Sequence, residues 1–153
     1  MGLLIRSRAK EDGESSSGIL WGQVVQAGAG HIQHALDAFH TEVIAALEGI
    51  KMAEMAGMAK VELGTDALLL KLDLLHDSFR LSSVGGLIHV IKETAVACLS
   101  SFSVSHCNRG CNQIAHALAA IGSNGPRGTN QFWESSPIGV EVLVASDCAV
   151  PTV

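Results

Sequence analysis

The sequence predicts an α/β fold: a mixed sheet flanked by helices, formed by a single domain over residues 1–150. Three observations point there. Short apolar segments of strand character alternate along the chain with longer ones whose apolar residues recur at helical spacing. Hydrophobic residues make up 48 % of the 153, enough for one sizeable core. No repeat with a period of about 20–50 residues suggests a solenoid instead.

The elements follow in order. Gly2-Leu-Leu-Ile-Arg6 is short, apolar and branched, and reads as a strand. Lys10–Gly18 is polar and Ser-rich, a flexible loop. Trp21–Ala29 returns to strand character around Val24 and Val25, so the two strands can pair as a hairpin across that loop. From Leu36 to Ala56 the period changes: Phe39, Val43, Leu47, Ile50 and Ala53 recur at three- and four-residue steps, with Gly57 as a stop. Lys60–Leu63 alternates as a strand and leads into Gly64-Thr-Asp66. Ala67–His76 and Val84–Ser100 read as helices, Phe102–Cys107 as a half-buried strand, and Asn112–Ile121 as a helix. Residues 122–131 read as a loop before a C-terminal tail, in which Gly139–Val144 is apolar. Gly28-Ala-Gly30 after a strand suggests a phosphate loop, but it lacks the third glycine of that fingerprint and reads as a turn.

Composition narrows the function. The net charge is −5, and only ten Lys and Arg are present, so no basic stripe favours strong binding to nucleic acid. Any such binding needs a local site or bound metal ions. No apolar run is long enough for a membrane span or a signal peptide, which predicts an intracellular protein of the nucleus or cytoplasm with no membrane partner. The four cysteines are then expected as reduced thiols, and the spacing of Cys107 and Cys111 does not suit a zinc knuckle.

The candidate chemistry lies in three places. Glu42 falls near the start of the long helix, Asp66 where a strand turns into a helix, and His116 four residues after Asn112 on one helical face. Taken alone, Glu42 is a solvated helix residue, Asp66 an N-cap and His116 a surface histidine. Their joint order is more informative. Phe39-His-Thr-Glu42-Val-Ile-Ala-Ala-Leu-Glu-Gly49, Val61-Glu-Leu-Gly-Thr-Asp66 and Val104-Ser-His106-Cys-Asn-Arg109-Gly-Cys-Asn112-Gln-Ile-Ala-His116-Ala-Leu-Ala119 resemble, in order and in spacing, three blocks of the ribonuclease H-like domains of plants. Trp133, Pro137 and Leu143–Asp147 are similar to the usual tail of that family, so the resemblance spans about residues 24–150.

The resemblance implies a ribonuclease H-like sheet and an endoribonuclease that cuts RNA in RNA–DNA hybrids. Two Mg²⁺ (or Mn²⁺) ions on clustered carboxylates would activate water and stabilise the leaving oxygen. Glu42 and Asp66 are the implied catalytic metal ligands, and His116 is catalytic in the place where the family usually has Asp. Arg109 and Asn112 are the implied contacts to nucleic acid.

The front departs from the family pattern, which begins with a central strand ending in Asp-Gly. Gly2-Leu-Leu-Ile-Arg6 resembles the family's second strand and Gln23–Gly30 its third, leaving the first strand and its aspartate missing. A different register makes Asp12-Gly13 that pair, but Arg8-Ala-Lys-Glu11 before it lacks strand character. Without the first strand, its neighbours lack a ladder partner and the site is one carboxylate short. The expectation is an impaired ribonuclease, or a catalytically inactive binding or structural module.

Overall fold

A computed structural model of the chain describes residues 2–7, 26–30, 32, 35–76, 82–106, 113–126, 130–133, 138–140 and 142–143. Among these residues, five strands form one mixed sheet: β1 (Gly2–Ser7), β2 (Gln26–Gly30), β3 (Lys60–Thr65), β4 (Ser101–His106) and β5 (Asn130–Trp133), in the order β4-β3-β1-β2-β5. Four helices among the described residues accompany them: α1 (Ala38–Met55), α2 (Leu68–Leu75), α3 (Gly85–Cys98) and α4 (Gln113–Asn124).

The expected hairpin is present, with β1 antiparallel to β2 from Gly2↔Ala29 to Ile5↔Gln26. β1 fills the centre of the sheet and, among the described residues, meets β3 at Arg6↔Glu62 and Ser7↔Val61, antiparallel to it. β3 and β4 pair in parallel along their full length, from Lys60↔Ser101 to Thr65↔His106.

Helix α1 starts where the sequence supplies a cap: Asp37 Oδ1 accepts the His40 backbone N–H at 2.7 Å. It ends before Gly57, whose φ of +67° is the left-handed conformation glycine tolerates. Its 3–4 pattern buries Val43, Leu47, Ile50 and Ala53 against Val61 and Leu63 of β3 and against Leu70, Ile88 and Ile91 of α2 and α3. A second, smaller cluster joins Ile114 and Leu118 of α4 to Ala29 of β2 and to Val140.

Three readings need adjustment. α4 runs on to Asn124, three residues past its expected end. Asn130–Trp133, expected as loop and tail, is an edge strand beside β2. Gly28 and Gly30, read as a turn, lie within β2, where a Cβ on Gly28 would sit 3.1 Å from the Phe132 ring and 3.4 Å from Met52 Sδ. The Ser-rich loop at 10–18 lies outside the described residues. Among those described, no helix is long and apolar enough to cross a membrane.

Candidate active site at the end of the parallel strands

Parallel strands present their C-terminal ends on one side, the usual place for a site in an α/β sheet. Here Asp66 follows β3 and His106 closes β4. The backbone around Asp66 is held from two directions. Thr65, buried in β3, accepts the Ala67 N–H through Oγ1 at 3.0 Å, and His106 Nε2 lies 3.2 Å from the Asp66 carbonyl oxygen. The cap position of α2 falls on Ala67, so Asp66 is not that helix's N-cap.

Glu42 reaches the same place from α1. Partial burial pushes its carboxyl above the ordinary range, the negative charge of Asp66 pushes it further, and His116 pulls it back. His116 arrives from α4, on the opposite face of the sheet. Its neighbours Ile114 and Leu118 are buried and fix the helix, while the imidazole stays half exposed with Nε2 3.5 Å from Asp66 Oδ2. Of the three residues singled out by the sequence, His116 touches Asp66, and Glu42 lies within range of the charges of both. Arg109, Asn112 and Asp12 lie outside the described residues. His106 lies in the third of the resembling blocks, where the sequence alone assigns it no role. The parallel register that sets it beside Thr65 is the signal that places it.

A carboxyl pushed up by the charge of a second carboxylate suits a divalent cation, and Mg²⁺ is often held by one or two carboxylates while keeping several waters. Glu42 and Asp66 thus fit one hydrated ion. Among the described residues, no three His, Cys, Asp or Glu side chains are grouped so that they could hold a metal ion, and Glu42, Asp66 and His116 do not form such a group.

Comparison with known proteins bears on the family and the fold. The family model described as "Reverse transcriptase-like" matches residues 10–122, well over half of the chain. Among solved structures, the fold is similar to that of RNase H1 from the halophilic archaeon Halobacterium salinarum NRC-1. The TM-score is 0.55 at 18 % identity, covering 65 % of this chain and 85 % of that one. A search of curated proteins gives no match.

Proposed function

The chain belongs to the reverse transcriptase-like family and carries an RNase H-like domain, and from that premise we propose that it binds nucleic acid and cuts the RNA strand of RNA–DNA hybrids slowly, through Glu42 and Asp66. One observation supports the reading: Asp66, at the C-terminal end of β3, lies close enough to Glu42 of α1 for its charge to raise the Glu42 carboxyl. Such repulsion is costly in a fold that does not use it, and it suits a site built for cations.

A bound Mg²⁺ or Mn²⁺ would supply an activated water and neutralise charge on the phosphate. Asp66, on the better fixed backbone, is the proposed anchoring ligand. Glu42 holds a proton more readily than a free glutamate, which fits a ligand that also exchanges protons with the attacking water. Arg109 and Asn112 are proposed to hold the substrate backbone, and contacts to the 2′-OH would mark the RNA strand. Low activity follows from the donor set, because carboxylates at such sites act as a unit and His116 contributes no third acid. Asp12 is the residue proposed to complete the set where a second ion binds.

The test is cleavage of a labelled RNA–DNA hybrid with Mg²⁺ or Mn²⁺ beside Glu42→Ala and Asp66→Ala. Metal-dependent cutting that falls at least about 100-fold in both variants is the expected result. Equal cutting in all three proteins, or none from folded wild type, overturns it. A second reading, a module that binds without cutting, is favoured by one contact: His116 beside Asp66 can supply positive charge when protonated. Binding of the hybrid with no cleavage, weakened by His116→Ala, would establish that reading.

A further inference from the structure

We propose that the outer edge of β4 is a self-association surface, through which two copies of this chain pair antiparallel about a twofold axis and join their sheets.

The backbone of β4 decides which groups are open. The Ser101 N–H donates to the Ala59 carbonyl at 3.2 Å, so Ser101 turns its polar backbone towards β3. Residues of a strand alternate in this respect. Ser103 and Ser105 therefore do the same, while the N–H and C=O groups of Phe102, Val104 and His106 point away from the sheet. β4 is the last strand on its side, and among the described residues nothing pairs with those groups. Sheet edges are commonly shielded by charge, proline, a bulge or brevity. Ser101–His106 carries no Lys, Arg, Asp, Glu or Pro, and its ladder with β3 runs unbroken through all 6 residues. At the opposite edge, β5 has only 4.

The open groups are symmetric, which makes a second copy the occupant. Phe102, Val104 and His106 are evenly spaced about Val104. A twofold axis there sets each Phe102 opposite the other copy's His106 and the two Val104 residues opposite each other. Facing residues of this kind exchange both N–H and C=O, so every open group of the three finds a partner. The register also keeps the faces matched. Phe102 and Val104, which pack on the main core yet stay partly exposed at this edge, continue the apolar side across the seam, and the serines stay on the other side.

Helix α2 supplies a second, independent observation. It lies over β4 on that same apolar side, with Leu70 and Leu74 turned into the core. Leu68, Leu69, Leu72 and Leu75 are left 39–54 % exposed. Helical spacing puts Leu69 and Leu72 on one flank of the exposed side and Leu68 and Leu75 on the other, so either flank is apolar. Pairing through β4 brings the two α2 helices side by side over the joined sheet, where these leucines leave water. Strand edge and leucines together make a modest interface, of the size that gives a reversible dimer.

Sedimentation velocity of the full chain across about 1–500 μM spans the affinities of such an interface and should show a monomer–dimer equilibrium. Hydrogen exchange read residue by residue at both ends of that range locates the contact. The amides of Phe102, Val104 and His106 should be protected at least about tenfold more at high concentration, and those of Ser103 and Ser105 about equally at both. Ser103→Lys, at an exposed side chain outside the core, places two like charges near the axis. It should weaken the dimer at least about tenfold and leave the far-ultraviolet circular dichroism unchanged. Leu72→Glu should weaken it about 3–10-fold. A chain that stays monomeric throughout overturns the proposal. Amides at Phe102, Val104 and His106 protected at every concentration would then show the edge covered by another segment of the same chain, and freely exchanging ones an edge open to a different protein. A dimer of unchanged affinity in both variants, without concentration-dependent protection at those three amides, places the contact elsewhere and overturns it too.

Discussion

One face of β3 and β4 sets Val61, Leu63, Phe102 and Val104 into a core shared with α1, α2 and α3, while the other face of the same strands carries Lys60, Glu62, Ser101, Ser103 and Ser105. On that second face, the buried apolar cluster among the described residues is the smaller one of Ala29, Ile114, Leu118 and Val140, where α4 crosses the other half of the sheet. The apolar face holds the fold together; the sparse face mainly positions one helix. The candidate site lies where the two meet, with Glu42 supplied from the first face and His116 from the second. The two groups should therefore respond differently to damage, and substitutions can separate them.

The largest effect is expected in the main core. Ile91→Ala removes a fully buried side chain beneath α1 and should cost about 2–5 kcal/mol in urea denaturation. A cost below about 1 kcal/mol would show that the main core does not dominate stability. On the sparse face, Gly122→Ala should cost about 1–3 kcal/mol although alanine favours helix, because its Cβ would crowd Gly30 N at 2.7 Å and Gly30 O at 2.9 Å. Moving α4 should also separate His116 from Asp66, visible as a change in the His116 ring signals. Unaltered His116 signals would mean that this packing does not position the imidazole. Thr65→Val should cost about 1–2 kcal/mol by leaving the Ala67 N–H without its acceptor, and should loosen Asp66 while α4 stays in place. Crosswise effects, with Thr65→Val disturbing α4 or Gly122→Ala sparing it, would break the division.

The same contrast explains what the sequence revealed. α1 was legible because its buried side repeats at three and four residues, as a helix lying on a sheet requires. α2 was legible as a helix but not in its orientation: Leu68, Leu69, Leu72 and Leu75 face outward while Asp73 is buried. A run of leucines carries no contrast from which to choose a face. β5 was missed because Asn-Gln-Phe-Trp is too short to alternate, and because its pairing with β2 depends on residues about a hundred positions away. At the site, Glu42, Asp66 and His116 were found by the resemblance and its order. The hold of His106 on the Asp66 carbonyl needed the parallel register of β3 and β4.

The smallest effect concerns the group that joins the two faces. The carboxyl of Glu42 has its pKa raised in the folded state, so between the unfolded and the folded value the native chain binds more protons than the unfolded one. Stability linked to Glu42 is then fully present below its unfolded pKa and is lost as pH rises through the raised one, leaving a penalty at neutral pH. Glu42→Gln keeps the shape and removes the charge, so it should stabilise the protein at pH 7 by less than about 1 kcal/mol, since solvent screens a partly buried side chain. The gain should vanish below the ordinary glutamate range. Thermal melting of wild type and variant at pH 7 and in acid measures both, and a variant less stable than wild type at pH 7 would mean that Glu42 is paid for by a partner rather than opposed by Asp66. Cleavage of the hybrid should fall in the same variant, so that one substitution raises stability and lowers activity, as expected of a carboxylate kept for its chemistry.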